Sequence, residues 1–429
     1  MKLDYKRTFF VGLAFLSICA FWQMYDNIIP LMLKKTFHLD ETITGVLMAL
    51  DNILALFMLP LFGAFSDKTN TPLGKRTPFI LVGTILAVIS MIFLPFADKA
   101  ENLPLFLIFL GLVLFAIGSY RSPTVALMPD ITPKPLRSKA NAVINLMGSL
   151  GGVFSLLIIM LFVKEEDKNS YLKVFLAVAA VMAGAVLILL ITIKEKRLSA
   201  ELNTAQEKIP DKEKGQGNKP MEASGMAREV RKSFRFILAS IFLWFFAYNA
   251  VTTAYSRYAE EIWGMKSGGF AIPLLVAMGA AIICYVPIGN IACRIGRRKT
   301  ILIGIIMMTA SYFCGAFIVH YSSWVLVVFS VTGIGWAAIN VNSYPMVVEM
   351  CKGSDVGKYT GIYYMFSMSA QIVTPIVSGA LLEHVSYRTL FPYAVIFSAA
   401  SLCTMLFVRH GDSKPEKKAD MLENFDLDD

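Results

Sequence analysis

A basic loop occurs twice in this chain, each time between two apolar runs long enough to cross a bilayer. The first copy runs from Pro60 through Gly63, Ser66 and Asp67 and closes on Gly74-Lys75-Arg76-Thr77. The second runs from Pro287 through Gly289 and closes on Gly296-Arg297-Arg298-Lys299-Thr300. Each lies between the second and third apolar runs of its own half. Runs of about 20 apolar residues have the length of membrane-spanning helices. Two similar halves in a membrane protein usually work by moving against each other around a central site.

At about 20 residues per span, twelve segments emerge, near 8–33, 43–65, 77–97, 104–128, 139–163 and 171–193, then 235–257, 269–292, 300–320, 323–348, 359–382 and 387–408. They predict an all-α membrane protein of twelve transmembrane helices, arranged as two six-helix bundles related by pseudo-two-fold symmetry. The N-terminal bundle covers residues 1–193, a linker 194–233, the C-terminal bundle 234–409 and a tail 410–429. Composition agrees: 56% of the 429 residues are hydrophobic and only 17% charged, against about a quarter charged in a soluble domain. The first run follows Lys2, Lys6 and Arg7 and continues to Leu33 without a small-residue cleavage site, so it reads as a retained span.

The net charge of +9 does not point to nucleic acid, because the basic residues flank spans. One set of loops holds Lys68, Lys75 and Arg76; Lys134, Arg137 and Lys139; Arg294, Arg297, Arg298 and Lys299; Lys352 and Lys358. On the other side, acids such as Asp40, Glu41, Glu165, Glu166, Glu260 and Glu261 offset the few cations. The positive-inside bias makes both termini and the linker cytoplasmic in a multi-pass plasma (inner) membrane. Rich in Lys, Glu, Gly and Pro, the linker reads as a mobile tether. The six cysteines have neither zinc-ligand nor redox-pair spacing, and the four histidines are isolated. No cofactor or metal site and no enzymatic constellation is expected.

Ionisable groups inside spans are costly and are functional candidates by default. Asp26 and Asp51 lie equally far from the turn near His38 to Glu41, so the first helical hairpin places them at similar depth, with Asn27 and Asn52 beside them. Two carboxylates close together in low dielectric favour retaining a proton, as a proton-coupled carrier requires. The plainer alternative is that each caps a kink or is paired separately. Arg121 is the basic residue deep in a span, level with Asn145 across the next turn. It binds a substrate or answers a carboxylate, unless it forms a fixed structural pair.

The first and seventh spans share a pattern: Trp22-Gln23-Met24-Tyr25-Asp26-Asn27 and Trp244-Phe245-Phe246-Ala247-Tyr248-Asn249. Trp22, Gln23 and Asp26 share one helical face, as do Trp244 and Tyr248. Trp336 and Asn340 share another, and Gln371 mirrors Trp336 across the next loop. Aromatic faces beside amides and carboxylates suit a sugar, whose C–H face packs on indole while its hydroxyls take hydrogen bonds. Lipid-facing or interhelical packing is the alternative for any one of these aromatics. Small residues, such as the run Gly148-Ser149-Leu150-Gly151-Gly152, let helices approach and slide.

The stretch Gly63-x-x-Ser66-Asp67 followed by Leu73-Gly74-Lys75-Arg76-Thr77-Pro78-Phe79-Ile80 resembles the loop signature of the major facilitator superfamily, in the form found in its sucrose/proton symporter branch and glycoside-transporting relatives. Ala126-Leu127-Met128-Pro129-Asp130 and Ala140-Asn141-Ala142 resemble that branch's fourth and fifth spans. The resemblance implies a cytoplasmic gate of Asp67, Lys75, Arg76, Arg297 and Arg298, with Asp130 and Glu349 as acidic partners. There is a departure: the branch's arginine lies close before the Asp matching Asp130, whereas Arg121 comes about two turns earlier. Ala55 and Leu59 occupy positions where sodium-coupled melibiose-type relatives carry acids.

The combined expectation is a monomeric carrier in the lipid bilayer, importing a sugar or glycoside with a proton by alternating access. Asp26, Asp51 and Arg121 would serve coupling. Trp22, Gln23, Asn27, Asn52, Asn145, Trp244, Tyr248, Asn249, Trp336, Asn340 and Gln371 would hold the substrate. The rival is a drug or metabolite exporter working by proton antiport on the same scaffold.

Overall fold

The computed structural model describes residues 3–133, 137–164, 169–207, 228–350 and 356–412. The N-terminal bundle contains α1 (Tyr5–Lys35), α2 (Glu41–Lys68), α3 (Thr77–Lys99), α4 (Leu103–Ile131), α5 (Arg137–Phe162) and α6 (Ser170–Thr192). A short α7 (Glu195–Glu207) follows. The C-terminal bundle contains α8 (Arg228–Glu261), α9 (Ala271–Ile295), α10 (Arg297–Ala316), α11 (Trp324–Glu349), α12 (Val356–His384) and α13 (Leu390–Leu406). Among the described residues, eleven helices are long and apolar enough to cross a membrane, and α9 adds the apolar stretch Ala271–Tyr285. These twelve are the predicted spans.

Helices form here because hydrocarbon offers no partner for backbone polar groups, so each span must satisfy its own. Ends are stopped by side chains: Asp4 accepts from the Arg7 N–H at 2.9 Å and Asn102 from the Leu105 N–H at 3.0 Å. Exposed Phe57, Ile191 and Ile283 give the outer surface the apolar character that lipid requires.

Packing in one bundle repeats in the other. α1 packs on α5 and α6, α3 on α4 and α6, and α2 on α4. Likewise α8 packs on α12 and α13, α10 on α11 and α13, and α9 on α11. Between bundles, α2 meets α12, its symmetry counterpart α5 meets α9, and α1 meets α8. That correspondence is the pseudo-two-fold relation.

Close approach depends on small residues. A Cβ on Gly151 of α5 would stand 2.2 Å from the Leu16 carbonyl oxygen of α1. Backbone cannot yield there as a flexible side chain does. Gly151→Ala should therefore lower stability by about 1–3 kcal/mol, the usual cost of overpacking, read as a lower thermal midpoint in detergent.

The linker departs from the expected tether at both ends, since α7 is helical and α8 already begins at Arg228. Glu195 occupies the first turn of α7, where the helix dipole favours an acid. Arg197 pairs with Glu201 one turn on at 2.8 Å. Residues 208–227 lie outside the described residues.

Candidate functional site

The first hairpin brings α1 and α2 side by side and with them the two intramembrane acids. Asp26 and Asp51 are each half-buried and lie within electrostatic reach of one another. Asn52 donates to Asp51 Oδ1 at 2.8 Å, and Arg121 of α4 also reaches Asp51 electrostatically. The Arg121 guanidinium carbon stands 5.5 Å from the centre of the Trp22 ring, a cation–π arrangement. Trp22 in turn meets Tyr25 edge-on at 5.4 Å. Tyr25, absent from the sequence-derived set, lies within the fields of both Asp26 and Asp51. No periodicity signal separated it from ordinary core tyrosines.

The C-terminal bundle supplies an aromatic platform. Tyr248 of α8 and Trp336 of α11 stack with centroids 3.8 Å apart and planes 2° from parallel. Phe245 closes on Trp336 edge-on at 5.3 Å. Tyr248 also lies within reach of Asp26, so the platform and the acids belong to one region between the bundles. Asn340 is exposed one turn beyond Trp336, within reach of Tyr285 of α9.

Among the described residues, several buried polar atoms here have no hydrogen-bond partner: Trp22 Nε1, Tyr25 Oη, Asn27 Oδ1 and Asn249 Nδ2. Unsatisfied buried groups are expensive, and a ligand bearing both donors and acceptors would satisfy them. Asn27 spends its amide nitrogen on the Gln23 carbonyl at 2.8 Å.

Not every predicted residue joins this group. Trp244 is completely enclosed in the hydrophobic core and is withdrawn from the platform, although it shares a helical face with Tyr248. Burial across one turn of α8 separates the two rings, which spacing alone cannot reveal. Gln371 is half-buried and makes a long 3.4 Å contact to the Ser367 carbonyl of its own helix. Asn145 is exposed on α5, its carbonyl accepting from the Ser149 hydroxyl at 3.1 Å.

At the face bearing the basic loops, Arg76 organises α2, α3 and α4. Its Nε donates to Asp130 at 2.7 Å, and its other nitrogens engage Asp67 and Ser66 Oγ. Burial works against the charge, yet Asp130 and Asp67 together raise its pKa above the ordinary arginine value. This joins elements of one bundle and does not bridge the two. Lys75 is exposed, and the Glu349 side chain lies outside the described residues. Arg297 opens α10. Arg298 engages the end of α13 and the tail instead, its Nη2 donating to the Leu406 carbonyl at 2.7 Å and its backbone N–H to Asp412 at 3.1 Å.

Glu195 was missed, because a charged linker gave no reason to single it out. Its carboxylate accepts from the backbone N–H groups of Lys75, Arg76 and Thr77 at 2.8–3.1 Å, and from the Thr77 hydroxyl at 2.7 Å. Gly74 makes room for it: with φ +122 and a Cβ position 2.4 Å from the carboxylate, no side chain fits. Gly296, at φ +98, holds the same relation to Asp412 in the other half. Hydrogen bonds to a charged group contribute about 1.5–3 kcal/mol each. Glu195→Ala should therefore deprotect the amides of residues 75–77 in hydrogen exchange by at least roughly tenfold, while amides in the core of α4 keep their rates.

The opposite face carries the charged contacts between bundles. Arg257 of α8 and Glu41 of α2 pair at 2.5 Å, their side chains only 3% and 6% exposed. Tyr387 donates to the other Glu41 oxygen. Lys34 reaches Glu261 at 2.9 Å, Lys35 reaches Glu260 at 2.6 Å, and the Thr42 N–H donates to Glu383 at 2.9 Å. Gly45 lies against the Pro375 carbonyl, where a Cβ would stand 2.1 Å away. In sequence these charges sit at span ends and read only as loop neutralisation.

Comparison with known proteins places this fold in a family. The model of the Major Facilitator Superfamily matches residues 11–292 and 274–425. The chain is similar to a sucrose transport protein (SUT3) of Oryza sativa subsp. indica, 28% identical over 138 residues, covering 28% of this chain and 27% of that one. It is also similar to proton-associated sugar transporter A of Mus musculus, 30% identical over 137 residues, covering 29% of this chain and 18% of that one. The chain thus spans about a quarter or less of the length of these relatives. In fold it is similar to the inward-open xylose transporter XylE of E. coli, with a TM-score of 0.65, 15% identity and 98% of each chain covered. A POT family transporter solved with 5-aminolevulinic acid gives a TM-score of 0.68, 14% identity, and coverage of 94% and 95%. With both basic loops and the intramembrane acids inside the matched region, the chain belongs to the Major Facilitator Superfamily.

Proposed function

We propose that this transporter is a proton-coupled symporter of a sugar or glycoside, with the basic face in the cytoplasm. The observation that carries the reading is the meeting of Asp26, Asp51 and Arg121 with the Tyr248–Trp336 platform. Stacked aromatics offer a surface for the apolar face of a pyranose or furanose ring. Trp22 Nε1, Tyr25 Oη and Asn249 Nδ2 offer unused hydrogen-bonding capacity toward hydroxyls. Two carboxylates in each other's field are easier to desolvate when one carries a proton. Arg121 cannot deprotonate and supplies the charge that Asp51 would answer in its ionised state. Likeness to sucrose and proton-associated sugar transporters over a third of the chain or less supports the same substrate class.

In this reading the ion pairs of the far face hold the extracellular side shut. Import would require the Glu41–Arg257 contact to part and the basic face to close. A monomer suffices, since both halves of the site come from one chain.

Purified protein in liposomes carrying an internal pH-sensitive dye tests this. Sugars added outside should acidify the interior, with sucrose and maltose in the first panel. Flux of labelled sugar without proton movement would leave a uniporter. Silence toward all sugars, with efflux of lipophilic cations, would establish the exporter instead.

A further inference from the structure

Away from the central site, a cavity of about 450 Å3 opens where α1 begins, α6 ends and α7 starts. Its rim is cationic: Lys6, Arg7, Lys194 and Arg197 line it against only Asp4 and Glu201. Both acids are already engaged. Asp4 caps α1 by accepting the Arg7 N–H, and Glu201 pairs with Arg197. Among the described residues, the side chains of Lys6, Arg7 and Lys194 enter no ion pair. Four cations thus converge on one concavity against two carboxylates, an excess whose mutual repulsion a bound anion would relieve.

The position defines the anion. The cavity sits at the ends of two spans, and Phe10, Ile193 and Leu198 give its lining an apolar part. Beside it, Tyr5 and Phe9 are 47% and 45% exposed in the first turns of α1, as aromatic side chains are at a bilayer interface. Basic pockets between spans at that level suit lipid phosphates. We propose that this cavity seats a phosphate group at the membrane surface, carried by an anionic phospholipid headgroup or by free phosphate.

Occupancy has a structural consequence. Lys194 and Arg197 of the cavity flank Glu195, whose carboxylate holds the loop between α2 and α3. A bound phosphate would tie α7 to α1 and α6 and so steady the Glu195 contact. Anionic lipid would then set how firmly the linker grips the basic face.

The test measures binding of phosphatidylglycerol to the full chain in zwitterionic detergent by native mass spectrometry. Arg7→Gln, Lys194→Gln and Arg197→Gln together should weaken it by about fivefold per cation removed. A control removing equal charge outside the cavity, Lys68→Gln, Lys196→Gln and Lys299→Gln, should retain near wild-type binding. Millimolar inorganic phosphate that displaces the lipid from wild type identifies a free-anion source; failure to displace it identifies the headgroup. Equal weakening in both triple variants would overturn the proposal, leaving general surface attraction. If the cavity triple variant does not fold, Lys194→Gln alone should still show the fivefold loss, and unchanged binding there would equally overturn it.

Discussion

Asp26→Asn should abolish sugar-driven proton entry into liposomes yet leave exchange of labelled sugar across the membrane largely intact. Asp26 has no described hydrogen bond and meets the other charges through space, so a neutral amide of equal size should preserve packing. What it removes is the site's ability to take up and release a proton as the carrier cycles. Asp51→Asn should do more. Asp51 answers Arg121 and accepts from Asn52, and its loss leaves a guanidinium uncompensated beside Trp22. Both proton entry and exchange should then fall, each by about a hundredfold, equivalent to about 2.7 kcal/mol. The two assays on one preparation separate coupling from binding. Wild-type acidification in both variants would place the coupling acid elsewhere.

That pair of acids was legible because helical rise and a short turn fix relative depth without knowledge of packing. Mirror placement about the turn near His38 suffices for Asp26 and Asp51, and the structure puts them in each other's field. The twelve spans were legible for the same kind of reason, since bilayer thickness imposes their length. Rotation about a helix axis was not. Trp244 and Tyr248 are four residues apart, yet one is sealed in the bundle and the other stacks on Trp336; that outcome depends on how α8 packs against its neighbours. Glu195 was invisible because its role comes from where α6 ends relative to the loop before α3, a long-range fact. Arg76 shows the intermediate case. Its acidic partner Asp130 followed from the family resemblance, but the direction of the contact, within one bundle and not across two, needed coordinates.

The Glu41–Arg257 pair should prove the strongest single determinant of closure at the far face. It joins α2 to α8, is almost wholly enclosed, and is shared with Tyr387. Among the described residues Arg257 Nε has no partner and Nη2 donates to the Thr253 carbonyl, so Glu41 is the carboxylate that compensates the guanidinium's charge. Removing one member of a buried pair costs about 3–5 kcal/mol because the other is left charged in low dielectric. A soluble protein would meet that cost by unfolding, but here separation of the bundles hydrates the orphaned charge. Glu41→Gln and Arg257→Met should each therefore shift the equilibrium toward an open far face by at least roughly a hundredfold, since about 1.4 kcal/mol is tenfold. Spin labels on cysteines replacing the exposed His38 and His384, one in each bundle, would report a longer distance in either variant. The double variant Glu41→Leu with Arg257→Met decides between charge and packing. It leaves no buried charge to hydrate, so its label distance should return toward that of the wild type. A double variant as open as the single ones would mean that shape complementarity at Gly45 and Pro375, and not the ion pair, holds the far face shut.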